Sequence, residues 1–234
     1  MTCDLKAVPR DRWNKRRTLS AVVIAVLPVQ VKAATVRRNI ILRDEHAECK
    51  VCIWGNHTQM ITESAVGRPI SCNRVCLQEY EGEVQLAMPK DCSISLGTTP
   101  KTAPIMSWLH KAGNAAIPVE AAVALNEPRV IAIQGMLAQV TSETITTKSG
   151  SVVPLTTVVI ATGPPYAVLR VQFWNASQEQ THQWSDMVHN AVKVTMIRCQ
   201  HQPERGNQFE SIGQLSRILL QKDGTLEKWW LKEP

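Results

Sequence analysis

The sequence predicts an all-β protein with short helices, built as two tandem five-stranded Greek-key barrels. Three observations predict it. First, two segments 120 positions apart match: Cys49-Lys50-Val51-Cys52-Ile53-Trp54-Gly55-Asn56-His57-Thr58 and Leu169-Arg170-Val171-Gln172-Phe173-Trp174-Asn175-Ala176-Ser177. Each alternates in character, ends in tryptophan and runs into Asn-x-Thr/Ser, a start signal for a helix. Second, the order strand-strand-strand-helix-strand-strand recurs around both copies. Third, 234 residues with 44% hydrophobic content suffice for two units of about 100 residues each.

The first unit begins near Thr18. Residues 19–31 form a long first strand, interrupted at Pro28, which suits a strand end or bulge. Residues 36–43 form the second strand, Asp44-Glu45-His46 the turn, and residues 48–54 the third strand. A short helix at 58–66 stops at Gly67-Arg68-Pro69. Residues 70–78 are the fourth strand, 79–82 a turn and 83–88 the fifth strand. A linker follows, with a short helix at 105–112 that uses Trp108 and Leu109 as apolar contacts, then an Ala-rich stretch bracketed by Pro118 and Pro128. In the second unit the strands fall at 129–141, 153–160, 167–174, 191–199 and 208–220. A polar loop spans 142–151, and a helix at 177–189 buries Trp184, Met187 and Val188. The expected domains are a basic arm (1–17), a first barrel (18–97), a linker with a short helix (98–128), a second barrel (129–221) and a tail (222–234) that contains Trp229-Trp230.

Strand side chains alternate faces, so Lys50, Cys52 and Trp54 share one face while Cys49, Val51 and Ile53 share the other. Likewise Arg170, Gln172 and Trp174 oppose Leu169, Val171 and Phe173. The tryptophan lies on the polar face both times, beside a cation four positions earlier. A ring and a cation on an outward face suit a flat anionic ligand.

The net charge of +6 is unevenly spread. Residues 1–38 carry nine Lys and Arg against two Asp and Glu, leaving seventeen against eighteen in the remainder. The basic cluster at residues 10–17 suits phosphate contact or nuclear import; a solvated arm is the plainer alternative. Seven cysteines, an odd count, argue against a closed disulfide framework and for reduced thiols in an intracellular protein. Cys49-x-x-Cys52 and Cys72-x-x-x-Cys76 resemble zinc spacings, but residues three apart on a strand point to opposite faces. No metal and no cofactor are expected. The apolar run at 19–27 is too short for a membrane span and reads as a buried strand rather than a signal peptide. Asn56 and Asn175 match the glycosylation pattern, yet their positions after a tryptophan fit helix caps.

Two such units describe a pair of OB-folds, partly open five-stranded barrels. Residues 12–221 resemble the tandem DNA-binding domains of the replication protein A large-subunit family. Asn39-Ile40-Ile41-Leu42-Arg43-Asp44 and Cys52-Ile53-Trp54-Gly55 are similar to its second strand and to the Trp-Gly that ends its third. Gly67-Arg68-Pro69-Ile70, Arg74-Val75 and Glu79-Tyr80-Glu81-Gly82 are similar to its fourth strand and the hairpin after it. The resemblance implies that Trp54 and Tyr80, and in the second unit Trp174 and Phe209, stack on bases. Lys50, Arg170, Arg37, Arg38, Arg43, Arg74 and Lys193 are the candidate phosphate contacts. The chain departs from the family where Glu79, Glu81 and Glu83 flank Tyr80, and the family's zinc-bearing third domain is not evident.

The expected function is largely sequence-independent binding of single-stranded DNA, or of RNA, in replication, repair or recombination, within the nucleus. The resemblance also implies smaller protein subunits of the same family as partners. A protein-interaction scaffold is the alternative, since OB barrels also dock peptides and fold alone does not decide. The sequence shows no phosphate-loop or nucleophile-elbow pattern, so an enzyme is not expected.

Overall fold

A computed structural model of the chain describes residues 2–3, 17–32, 35–80, 83–89, 91–146, 150, 152–163, 167–202 and 206–221. Side chains are described for all of these except 2, 3, 17, 32, 78–80, 83–85 and 202. The basic cluster at 10–16 and the tail at 222–234 therefore lie outside the described residues. The chain divides into two units, Met1–Leu109 and His110–Pro234.

In the first unit the strands are β1 (Thr2–Cys3), β2 (Arg17–Lys32), β3 (Thr35–Arg43), β4 (Glu48–Trp54), β5 (Pro69–Tyr80), β6 (Glu83–Met88) and β7 (Ser93–Leu96). Their order is β1-β2-β3-β4-β6-β5-β7, and a β2–β5 pairing closes the barrel. The short helix α1 (His57–Met60) and a 3₁₀ turn (Glu63–Ala65) lie between β4 and β5 in the chain. Helix α2 (Ala103–Asn114) follows β7. The second unit has β8 (Ala116–Pro118), α3 (Val119–Val123), β9 (Arg129–Thr146), β10 (Val152–Ala161), β11 (Val168–Trp174), α4 (Gln178–Ser185), β12 (Ala191–Gln202), β13 (Gly206–Ser211) and β14 (Arg217–Leu220). Its order is β14-β12-β13-β11-β10-β9-β8, closed by β12–β9. Both barrels are OB-folds, with the third and fifth barrel strands paired in parallel (β4–β6, β11–β13) and the other barrel pairings antiparallel.

The alternation of each strand decides its inner face. Leu19, Ile40, Val51, Ile53, Val75 and Leu86 fill the first core; Ile133, Val158, Val171, Phe173, Ile197 and Phe209 fill the second. Pro28 falls within a register shift of β2 between Val26 and Val29, where a residue without an N–H interrupts no ladder bond.

The two registers superimpose. Val51 pairs with Leu86 as Val171 pairs with Phe209. The Gly55 N–H donates to the Val36 carbonyl, and the Asn175 N–H to that of Pro154, both at 2.9 Å. Gly55 has φ 59° and Asn175 φ 58°, a left-handed turn that glycine and asparagine accept most readily. Gly67 and Val23 exchange bonds with their partners in the manner of His189 and Leu137. Both fourth strands bulge at a residue with positive φ, Arg74 (67°) and Met196 (55°).

Some elements differ from expectation. The helix expected at 58–66 breaks into α1 and the 3₁₀ turn, because Thr58, Ile61 and Ala65 are each drawn into the barrel. The Asn56 side chain makes no cap bond. Ser177, not Asn175, caps α4: its Oγ accepts the Gln180 N–H while the Gln180 side chain accepts the Ser177 N–H. Residues 142–146, which read as a loop, continue β9, paired with Val152–Thr156 in a ribbon that includes the β-branched Thr144, Ile145, Thr146, Val152 and Val153. The expected strand at 208–220 divides into β13 and β14 around Ser216, whose hydroxyl accepts the Ile212 N–H and donates to the Met196 carbonyl.

Candidate nucleic-acid interface

Directly paired residues share a face, so the β3–β4 register builds the outer surface of the first barrel row by row. Trp54 lies opposite Arg37, Cys52 opposite Asn39, and Lys50 opposite Ile41. Gln30 of β2 extends the first row, and its Oε1 accepts the Arg37 Nε–H at 2.9 Å. That bond turns the Arg37 guanidinium toward the indole, with Cζ 6.0 Å from the ring centroid. Lys50 projects into solvent, and Trp54 is half-buried. Between them Cys52 is small and fully buried, lying opposite Asn39 and pairing with Ala87 of β6. Burial pushes the Cys52 thiol up, against the opposing pull of the Arg37 and Lys50 charges.

The same rows in the second barrel carry different chemistry. Trp174, 37% exposed, lies opposite buried Leu155, and Glu143 of β9 extends that row. Gln172 and exposed Arg170 occupy the next two rows. Gln172 pairs with Glu210 of β13, which pairs in turn with Arg198 of β12. The Glu210 Oε2 accepts from Arg198 Nη1 at 3.4 Å and from Gln200 Nε2 at 2.7 Å.

Of the expected stacking rings, Trp54 and Trp174 occupy matching outward positions. Tyr80 ends β5 opposite Glu83, and its side chain lies outside the described residues. Phe209 is a correction. It is 6% exposed and belongs to the core, at the register position of Leu86. The register counterpart of Tyr80 is Gln202, which faces Gly206 across its own hairpin. Trp184 is likewise core, packed on Phe173 with ring centroids 4.6 Å apart.

The cations also separate. Arg37, Lys50 and Arg170 share faces with the two tryptophans. Arg38 points inward: Nη1 donates to the Ile61 carbonyl at 2.9 Å and Nη2 meets Glu63 at 3.2 Å, so it holds the segment under the barrel. Its counterpart Thr156 does the same for α4 through a hydroxyl bond with Thr181. Arg43 is buried between Glu48 (3.5 Å) and the Trp108 ring (5.6 Å from Cζ), so it has no open face for a phosphate. Both corrections share a cause, since alternation sets a face without revealing what covers it. Arg74 is exposed in the β5 bulge and pairs with Asp91 at 3.3 Å, away from the Trp54 rows. Lys193 sits where β12 pairs with β9 and β14, not on the β10–β11 surface. Glu143, Glu210, Arg198 and Gln200 were not anticipated. Once Phe209 is set inward, period-two alternation alone turns Gln208 and Glu210 outward.

Among the described residues no group of three or more His, Cys, Asp or Glu gathers to hold a metal ion. No helix among them is long and apolar enough to cross a membrane.

No protein-family model matches the sequence, and no curated protein matches it. Among solved structures, the chain is similar to a replication protein A heterotrimer bound to single-stranded DNA, at 12% identity and TM-score 0.46 over 92% of this chain and 52% of that one. The chain thus spans about half the length of that protein chain. It is also similar to fission yeast Pot1 with single-stranded DNA (9% identity, 92% of this chain and 87% of that one, TM-score 0.41). An OB domain from Methanosarcina mazei is similar as well (20% identity, 42% and 85%, TM-score 0.34).

Proposed function

We propose that this protein binds single-stranded DNA, stacking bases on Trp54 and Trp174 and holding the backbone through Arg37, Lys50 and Arg170. One observation carries the reading. A single tryptophan recurs at the same outward register of both barrels, each time with a cation four residues earlier on its face. Base–aromatic stacking contributes about 1–3 kcal/mol per ring and tolerates any base. Two such modules in one chain raise each other's effective concentration, so modest single-barrel affinities combine. A binding role suits this surface better than a catalytic one. Service in DNA replication, repair or recombination, action in the nucleus, and assembly with smaller subunits of the replication protein A type extend this proposal. The basic cluster at 10–17 and the resemblance of residues 12–221 support them.

The test is a fluorescence titration of the whole protein with oligo-dT, oligo-rU and duplex at several salt concentrations. Oligo-dT is expected to quench tryptophan emission. With three cations on phosphates, log affinity is expected to fall with log salt at a slope of about −2. Absence of quenching and of binding at low salt, or equal affinity for duplex, would overturn the reading.

A further inference from the structure

We propose that the second barrel reads guanine, with Glu210 and Gln172 as its specificity-determining residues. The inference rests on the single-stranded DNA reading above and deepens it for one barrel.

The Glu210 carboxylate is held rather than free. Arg198, 7% exposed at its side chain, and Gln200 both donate to one oxygen, Oε2. Among the described residues no hydrogen bond engages the other oxygen, Oε1, and the side chain keeps 20% of its surface. Two donors on one side thus fix the group in place and leave acceptor lone pairs on the other. The buried Arg198 guanidinium lies against this carboxylate and compensates its charge on a surface that meets an anionic strand.

Position completes the site. Gln172 is the direct register partner of Glu210, about 5 Å away across the strands, and Trp174 lies about 7 Å further along the same face of β11. A nucleotide next to the one stacked on Trp174 therefore presents its base edge to this pair. A carboxylate accepts hydrogen bonds and donates none, whereas an amide donates through its NH₂. Guanine offers two adjacent N–H donors, N1–H and the 2-amino group, beside the O6 acceptor. Those donors match Glu210, and O6 matches the Gln172 amide. Thymine has no amino group to offer, and adenine and cytosine place a ring acceptor where guanine places N1–H. The first barrel has no such pair: Cys52 and Ala87 hold the matching positions.

The experiment measures affinity of the whole protein for oligo-dT, for the same oligonucleotide with one central dG, and for one with inosine there, which lacks the 2-amino group. One dG is expected to tighten binding about tenfold, since a hydrogen bond to a charged group contributes on that scale, and inosine to return most of that gain. Glu210→Gln is expected to abolish the dG advantage and leave oligo-dT affinity within about twofold. Gln172→Leu, a change on the face of β11 opposite its core residues, is expected to reduce the advantage and provides a second variant if Glu210→Gln unfolds. A dG advantage that is absent in the wild type, equal for inosine, or intact in Gln172→Leu and Glu210→Gln overturns the inference, while oligo-dT binding leaves the underlying reading standing. Failure of every oligonucleotide to bind overturns both.

Discussion

The first barrel places Cys52, Ala87 and Cys76 where the second places Gln172, Glu210 and Arg198. The inward positions vary far less: Val51 answers Val171, Ile53 answers Phe173, and Leu86 answers Phe209, all apolar. The barrel interior must exclude water and fill its volume, so these positions accept only changes of apolar size, whereas the inward pair Arg38 and Thr156 differs but stays hydrogen-bonded. The outer face carries no such constraint and has diverged in chemistry. Around Trp54 it is cationic, with Arg37 and Lys50 on either side of the small row Asn39, Cys52 and Ala87. Around Trp174 it is hydrogen-bonding and partly acidic, with Leu155 and Glu143 in the tryptophan's own row. Two copies of one scaffold thus suit two tasks, grip on a charged backbone and readout of a base.

The most severe break in this comparison is at the matched inner pair. Phe209→Ala is expected to destabilise the second unit by about 3–5 kcal/mol, and Leu86→Ala the first by about 2–5 kcal/mol. Thermal denaturation checks this; a Phe209→Ala variant that keeps its stability but loses oligonucleotide affinity would restore a stacking role for that ring. Next come the outward tryptophans. Trp54→Ala and Trp174→Ala are each expected to cost about 1–3 kcal/mol of binding with the fold intact. For oligo-dT the first should cost more, because Arg37 and Lys50 stand beside Trp54 and a carboxylate row beside Trp174. Anisotropy titrations of both variants decide it, and equal losses would erase the proposed division between barrels. The smallest effect lies in the left-handed turns. Gly55→Ala forces a Cβ into φ 59° and is expected to cost about 1–2 kcal/mol, whereas Asn175→Gly in the matching turn should change stability by only a few tenths. Urea unfolding of the two variants measures the contrast.

Much of the architecture was legible without coordinates. Alternation placed Trp54 and Trp174 outward and Val51 and Val171 inward, and β4 and β6 fall at Glu48–Trp54 and Glu83–Met88, as the pattern predicts. The misjudged residues share a dependence on distant partners. Arg38 follows the β3 alternation, yet its burial depends on Ile61 and Glu63, more than twenty residues away. Arg43 is covered by Trp108 of α2, a contact that no local pattern announces. Phe209 was matched to Tyr80 because both are aromatic residues in or near the last hairpin. The parallel β11–β13 register, a non-local pairing, instead aligns it with Leu86.

By itself the sequence determined which side chains share a face, where each duplicated strand ends in tryptophan, and that the same order of elements occurs twice. These are period-two and turn properties, set within a few residues by backbone sterics. Only the tertiary structure decided that Arg38 and Arg43 are buried, that Phe209 is core, and that Glu210 meets Arg198, Gln200 and Gln172 on one surface. Those outcomes depend on how strands pair across the barrel, and pairing is fixed by burial of the whole inner face rather than by any single segment.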